Sequence, residues 1–272
     1  MDRKTALKKG TQLLFGSAGY PSVDDGKPFT ETETILEKVN VSLTLEPYVP
    51  NSTIPWNRRR VLHLCRRMGF IPDPSTLATL EGMNPSQAVD YLIQQAQNAK
   101  KITEPSWANL GLPPLNASAA DIQAYNAQRA IWLADLRVIL SSHLLESGLR
   151  GKLTMFWHNH FVTEISDYGN NPQFAWRYLN TIQEHHFSGF KALTLAMGLT
   201  PAMLVYLNGN QNQRVRPNEN YARELLELFT LGEGNGYTQK DIEELARALT
   251  GYQVNGQDNS VNFNQARFDS GS

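Results

Sequence analysis

The chain has 272 residues with 25 basic and 26 acidic side chains, and its net charge of −1 gives no overall field that would attract nucleic acid or an anionic membrane. Its single cysteine, Cys65, excludes an internal disulfide framework and a cysteine-rich zinc site. No apolar run approaches the roughly 20 residues needed to cross a bilayer, so we expect neither a nucleic-acid partner nor a transmembrane segment.

The first part of the chain shows no long periodic pattern. Residues 1–10 have the basic character of an export signal, but residues 11–17 are too short and broken for its apolar core, so a solvated basic helix is the simpler interpretation. Glycine, proline and small polar residues then interrupt short apolar pieces, and residues 39–45 alternate as a short strand does. We predict an extended arm over residues 1–50 and a helical domain over residues 51–272.

Three short helices are predicted next. Apolar residues at helical spacing place the first over residues 57–68, and Pro74 and Pro85 each begin another. Arginines crowd the remaining surface of the first helix, and a solvated or salt-bridged face explains them more simply than anion binding. The helix–turn–helix spacing has no basic recognition face, so DNA binding is not predicted.

A long helix is predicted from a capping box at Ser118 and Asp121 to about Leu145. Its apolar residues recur at helical spacing, so one stripe is expected to face the core. That stripe is predicted to include Ile131, Ala134, Leu136, Val138 and Ile139. Further helices are predicted over residues 149–161, 174–186, 191–198 and 201–207.

The helix that begins near Asn218 has a marked start and a marked stop. Asn218 or Asn220 can cap its start, and Gly232 can adopt the left-handed conformation that ends a helix. One face carries an apolar stripe, while Arg223 stands four residues from both Glu219 and Glu227. Because apolar residues cover a wide arc, we expect this helix to be buried on more than one side.

The end of the chain combines a helix with a hairpin. Thr238 and Asp241 form a second capping box, and the pair Asn255-Gly256 is the signal of a type I′ hairpin turn. The fold class is therefore predicted to be mainly α, a multi-helix orthogonal bundle with an extended N-terminal arm and one late β-hairpin.

Three motifs stand out in the chain. The first is PWNRRRVLHL at residues 55–64, with RRMGF ending at residue 70. The second is KLTMFWHNHF at residues 152–161, and the third is PAMLVYL at residues 201–207 running on to PNENYARELLEL at residues 217–228. Together they resemble the motifs of the bacterial domain-of-unknown-function family numbered 1800. The last two are specific, and the resemblance spans residues 47–272.

The resemblance implies a helical bacterial protein that is commonly exported, so an extracytoplasmic location is expected although a clear signal core is missing. Family members usually continue beyond the point where this chain ends, which implies the N-terminal part of a longer domain. We therefore expect a partner protein or a missing C-terminal half. It should cover a large exposed apolar surface on the helices at residues 201–207 and 239–250. The family has no established reaction to carry over.

The most suggestive candidates for chemistry are two histidines, His158 and His160. On an extended strand, residues at i and i+2 share one side, whereas on a helix they lie about 200° apart. The spacing favours a helix with His160 in its apolar stripe and His158 on the opposite side. The other members of this stripe are Leu149, Leu153, Phe156 and Trp157. One core histidine and one polar-face histidine is then the simpler interpretation.

One function hypothesis is a metal-assisted hydrolase. His158, His160 and Glu219 would hold a divalent metal such as zinc, because one or two imidazoles with carboxylates suit that ion. Glu224 and Arg223 would be the catalytic residues, with a carboxylate that holds no metal serving as general base on a metal-bound water.

The other hypothesis is a non-catalytic helical scaffold or binding protein of an exported system. Arg223, Glu224 and Glu227 would then be structural partners, with His158 or Arg150 among their neighbours, since buried charges are costly unless they are paired. We favour the scaffold, because no metal-ligand triad can be demonstrated from the spacing and no nucleophile or nucleotide-binding motif is present.

Overall fold

A computed structural model describes residues 47–271 of the chain. The predicted arm over residues 1–50, including the alternating stretch at residues 39–45, therefore lies almost entirely outside the described residues. Residues 47–57 belong to no helix or strand and lead into the first helix. The division of the chain at residue 50 stays a prediction.

Helices dominate the described part of the chain. In order they are α1 (Arg58–Met68), α2 (Pro74–Glu81), α3 (Pro85–Asn98), α4 (Ala119–Glu146), α5 (Leu149–His160), α6 (Pro172–His185), α7 (Phe190–Gly198), α8 (Pro201–Tyr206), α9 (Glu219–Glu224) and α10 (Gln239–Ala248). A π-helical segment, Leu225–Thr230, directly continues α9. Strands β1 (Tyr252–Asn255) and β2 (Ser260–Phe263) pair antiparallel after α10. The predicted fold class, mainly α with one late hairpin, is confirmed.

Local capping chemistry sets the starts of the helices, as the sequence predicts. The Asp121 N–H donates to the Ser118 hydroxyl at 3.1 Å to begin α4, and Thr238 and Asp241 form the same capping box at the start of α10. Pro74 and Pro85 occupy the first turns of α2 and α3. These starts depend on residues that are three positions apart or fewer, so the sequence contains the whole signal.

The main core is built around α6. Its side chains Trp176, Tyr178, Leu179 and Ile182 are all buried, and α4, α5, α7 and α8 pack against this helix. A smaller core joins α1, α2 and α3, with Val61 among its fully buried residues. The helices that bear the second and third sequence motifs therefore surround one common core.

The long helix α4 buries a different face from the predicted one. Leu136 and Leu140 are buried, as Leu136 was expected to be, whereas Ile131, Ala134 and Val138 are exposed. The prediction is wrong for these three residues, and Ile139 is half-buried. The physical reason is that α4 carries apolar side chains on two faces, and the core covers only one of them. Periodicity alone cannot rank two faces of similar character.

Helix α5 also departs from the predicted orientation. Its buried residues are Arg150, Gly151, Thr154 and His158, while Phe156 of the predicted apolar stripe is 57% exposed. A Cβ atom at Gly151 would lie 2.8 Å from the Leu144 carbonyl oxygen, so only glycine allows α5 to approach the end of α4 this closely. Close backbone packing has therefore placed a polar face of α5 inside the protein.

The hairpin is confirmed, but its predicted type I′ turn is wrong. Asn255 pairs with Ser260, so residues 256–259 form a four-residue loop. Asn259 adopts a left-handed conformation with φ of 57°, and its side chain donates to the Leu110 carbonyl at 2.9 Å and accepts from Asn171 at 3.1 Å. Contacts with distant residues therefore fix this loop instead of the local Asn-Gly preference.

The predicted apolar surface on residues 201–207 and 239–250 is not found. Helix α8 buries Pro201, Ala202, Met203 and Leu204, and α10 buries Ile242 and Ala246 against α9. Elements of the described chain already cover both helices. The prediction of an exposed surface there is wrong.

In the part of the chain that the structure describes, none of the helices has the length and apolar character that a membrane span requires.

Arg150 on α5 joins three helices. Its side chain is 4% exposed, and its guanidinium donates to the carbonyls of Ala96 (3.0 Å) and Gln97 (3.4 Å) at the end of α3 and of Gln183 (3.3 Å) on α6. The expectation that Arg150 neighbours the charges of α9 is wrong. Its positive charge instead satisfies backbone carbonyls at the C-terminal end of α3, where the helix dipole is negative.

Two buried histidines lie near this arginine. Burial, and after it the charge of Arg150, lowers the pKa of His143 to about 4. Burial likewise lowers the pKa of His186 to about 4, with Arg150 as the next cause. Both imidazoles are therefore neutral at neutral pH, and Arg150 is the charged group of this buried region.

We predict that Arg150→Met lowers the free energy of unfolding by about 3 kcal/mol, because buried carbonyls lose a charged donor while the apolar stem is retained. Thermal or urea unfolding at neutral pH measures the change. Arg59→Met, at an exposed position of α1, is the matched control and should change stability by less than about 0.5 kcal/mol. Equal effects of the two substitutions would show that the Arg150 contacts are not stabilising.

Candidate functional site

The helix of the third motif begins and ends as predicted, but its second half is π-helical. The Asn220 N–H donates to the Asn218 side chain at 3.0 Å at the start, and Gly232 has a φ of 90° at the end. From Leu225 to Thr230 the backbone is π-helical. Such segments are rare and are frequent at functional sites. Propensity and periodicity contain no signal for this wider turn.

Arg223 is the centre of a polar network between α9 and α10. Its guanidinium lies 2.9 Å from Glu219 and 3.4 Å from Glu227, and it donates to the Gln239 side-chain carbonyl at 2.9 Å. The Gln239 amide also donates to Glu219 at 2.9 Å. The side chain of Arg223 is 39% exposed, so this network is half-buried and solvent weakens its charge interactions.

Glu224 points away from this network into a small cavity of about 210 Å³. Asp167, Tyr206, Asn208 and Asn220 line the same cavity. Burial raises the pKa of the Glu224 carboxyl, and the neighbouring carboxylate of Glu227 adds to the increase. The protonated form of Glu224 is thus favoured relative to that of a solvated glutamate.

Tyr206 faces the same carboxylates. Burial is the main cause that raises its pKa to about 12, and the negative charges of Asp167, Glu224 and Glu164 contribute further. The phenol therefore stays protonated at neutral pH. A carboxyl whose protonated form is favoured by burial and a second carboxylate at one cavity are a combination that general acid–base chemistry can use.

Asparagines of the third motif hold the rim of this cavity in place. The Asn220 amide donates to the Leu207 carbonyl at 3.0 Å, and the backbone N–H of Asn218 donates to the Asn212 side chain at 2.8 Å. Asn212 is fully buried and donates to the Ala246 carbonyl of α10 at 2.7 Å. The end of α8, the start of α9 and α10 are therefore fixed relative to one another.

The structure buries His158, which was expected on the polar side of the helix, while His160 packs against aromatic rings that include Phe161 and Phe229. His158 is 1% exposed, and its Nδ1 lies 3.0 Å from the hydroxyl of Tyr178. His160 is half-buried, and its Nε2 donates to the Phe229 carbonyl at 2.8 Å, inside the π-helical segment. The second motif thus contacts Phe229, the residue that directly follows the third motif, through its backbone carbonyl.

Within residues 47–271 no three His, Cys, Asp or Glu side chains lie close enough together to hold a metal ion. His158, His160 and Glu219 are therefore not assembled into the predicted ligand set. The helical backbone is the reason, because it turns the side chains at i and i+2 in different directions.

Of the predicted site residues, Glu219 and Arg223 are in direct contact, while Glu224 belongs to a separate cavity. Sequence reasoning missed Asp167 and Tyr206, which share that cavity. A signal was available for Asp167, because an acidic, non-helical stretch directly follows the second motif. No sequence pattern linked Tyr206 to Glu224, since the residue sits on another helix.

The comparisons with known proteins give one match. The model of a family described as "Protein of unknown function (DUF1800)" matches residues 63–272. No curated protein and no solved structure matches the chain.

We predict that Glu224→Gln raises the free energy of unfolding at neutral pH. A carboxyl whose pKa is higher in the folded state destabilises the fold wherever it is charged, and that penalty disappears as the pH falls below the pKa of the unfolded state. The gain over wild type should therefore shrink as the pH is lowered towards about 4.

Urea unfolding at several pH values measures this difference. Glu233→Gln, at an exposed position just beyond the helix, is the control and should show little change. A loss of stability in Glu224→Gln at neutral pH would mean that the Glu224 carboxylate has a stabilising charged partner, and the prediction would be wrong.

Proposed function

The chain belongs to the DUF1800 family of proteins of unknown function, and from that premise we propose that it is a non-catalytic helical scaffold that binds another protein. The single observation that carries the proposal is the network around Arg223, in which one guanidinium contacts Glu219, Glu227 and Gln239. The charged residues that stand out in the third motif are thereby engaged in holding α9 against α10.

The helix that carries the second motif supports the same role. The imidazole of His160 donates to the Phe229 carbonyl, and the buried Arg150 of α5 donates to carbonyls of α3 and α6. Each of these polar groups replaces water as the partner of a backbone carbonyl between helices, which is a structural task. The partner protein and the extracytoplasmic location that the resemblance implies are part of the proposal.

The scaffold proposal predicts that Arg223→Met lowers the free energy of unfolding by about 0.5–1 kcal/mol, the range of partly exposed ion pairs. Thermal unfolding at low and high salt measures it, and the loss should be smaller at high salt because salt screens the charges. Arg216→Met, at an exposed position just before α9, is the matched control.

Elemental analysis of protein purified without added metal distinguishes the scaffold from the metal-assisted hydrolase. Metal-free protein that melts cooperatively agrees with the scaffold. Stoichiometric zinc, manganese or iron that is lost in His160→Ala would overturn it and would favour the metal-assisted hydrolase, with His158, His160 and Glu219 drawn together as ligands.

A second candidate function is a hydrolase that uses Glu224. The observation that favours it is the cavity that Glu224 shares with Asp167 and Tyr206, beside a π-helical segment. In this proposal the protonated Glu224 carboxyl donates to the leaving group, Asp167 accepts a proton from the attacking water, and Tyr206 orients the substrate by a hydrogen bond. Arg223, one residue before Glu224, would position α9 through its ion pairs.

The hydrolase candidate predicts that an activity found on a panel of ester, glycoside and phosphodiester substrates falls by about 10²–10⁴-fold in Glu224→Gln. Asp167→Asn should reduce the same activity, whereas Glu233→Gln should leave it unchanged. Full activity in Glu224→Gln would contradict this mechanism. Because Glu224→Gln is not expected to destabilise the fold, a loss of activity would not reflect unfolding.

A further inference from the structure

The outer face of α4 carries a regular apolar line. Ile131 is 59% exposed, Val138 is 65% exposed and Leu145 is 72% exposed, and these three residues follow one another at intervals of seven. Single exposed apolar residues are ordinary on a protein surface. A straight series on one helix is different, because a seven-residue repeat keeps the same face turned towards a neighbouring helix.

Small residues form the second half of this repeat. Ala120, Ala127 and Ala134 are also spaced by seven, and all three are exposed. Ala127 and Ala134 lie three or four positions from Ile131 or Val138, so the two series alternate along a single face. Ala120, Ala124 and Ser141 lie on the same line. We call this face the α4 seam. It consists of the exposed residues 120, 124, 127, 131, 134, 138, 141 and 145. The core-facing residues Leu136 and Leu140 lie on the other side of the helix.

We propose that the α4 seam binds a second copy of the chain, with the two α4 helices antiparallel about a two-fold axis. This inference rests on the binding role proposed above and deepens it by naming the partner. A two-fold interface requires one surface to be complementary to itself. The order of large and small residues along the seam meets that requirement in one orientation.

In the antiparallel arrangement each large residue of the seam faces a small one, and the remaining layer pairs Ser141 with Ala124. The central layers pair Ile131 with Ala134, Val138 with Ala127 and Leu145 with Ala120 of the second copy. A parallel arrangement would place each residue against itself, so that layers of two large residues would alternate with layers of two alanines. Overpacked layers and voids are both destabilising, which selects the antiparallel pairing.

The flanking residues do not oppose this pairing. Along the two edges, Asp135 would face Gln128 and Arg137 would face Ala130 of the second copy, so no like charges meet. Asp135 is also held within its own chain, where it accepts a hydrogen bond from the Trp107 indole at 2.9 Å. The charges that border the seam therefore leave its apolar centre free to be covered.

The size of the seam predicts a weak dimer. Residues 120–145 extend over about 39 Å of helix, and a contact strip about 10 Å wide covers about 400 Å² on each copy. Both copies together bury about 800 Å², which is below the area of a standard stable interface. The dimer should therefore form reversibly as the protein concentration rises, with a dissociation constant in the micromolar range.

Sedimentation velocity of the full chain tests the proposal. Wild type should shift with concentration from the 30.6 kDa monomer to twice that mass, and Ala134→Glu should weaken the association by about tenfold or more, since it places a charge opposite Ile131. Ala134 is exposed, so the melting temperature should not change. Leu195→Glu, which alters an exposed apolar residue of α7, is the matched control and should dimerise like wild type.

Cysteine cross-linking tests the orientation without disturbing the seam with a charge. Ala127→Cys and Val138→Cys, mixed and mildly oxidised, should form a disulfide between the two variants, because these positions share a layer. Neither variant should cross-link to itself, because in a dimer of one variant the two new cysteines lie about 16 Å apart along the helices. The native Cys65 is buried and provides a low background.

Three results would overturn the proposal. These are a wild type that remains monomeric up to about 100 μM, a dimer that Ala134→Glu does not weaken, and self-cross-linking in place of mixed cross-linking. A different result would refute the scaffold proposal, namely bound metal that is lost in His160→Ala. A monomer without metal would reject the dimer and leave the scaffold with a different partner.

Discussion

The guanidinium of Arg150 donates from α5 to backbone carbonyls of α3 and α6, and this contact fixes which side of α5 faces the core. Gly151 makes the approach possible, because the α4 backbone leaves no room for a Cβ atom there. Once this side of α5 is inside, His158 is buried with it, and His160 is left to reach the Phe229 carbonyl. The orientation of one helix thus links the second motif to the residue that directly follows the third.

Two adjacent residues on α9 lie in different environments. Arg223 contacts α10 and is partly solvated, while Glu224 enters a cavity that burial makes unfavourable for its charge. The π-helical segment follows Glu224 directly, and a wider turn changes the angle at which the later side chains project. The stabilising network of Arg223 therefore lies next to Glu224, whose charged form is disfavoured by burial.

The core and the surface of α4 illustrate how one helix can serve two tasks. Leu136 and Leu140 are buried in the core around α6. The line through Ile131 and Val138 stays exposed and is not part of that core. Apolar residues that the fold leaves uncovered are available for association.

The sequence by itself determined what depends on residues within about four positions: the capping boxes of α4 and α10, the end of the third-motif helix at Gly232, and the ion pairs of Arg223. It also determined the class of fold, because helical periodicity is local. Only the tertiary structure decided which faces of α4 and α5 are buried and which loop closes the hairpin. It also decided that Asp167 and Glu224 line the same cavity. The physical reason is that burial results from competition among faces of similar apolar character, and its outcome depends on close contacts, such as that at Gly151, between residues from different helices.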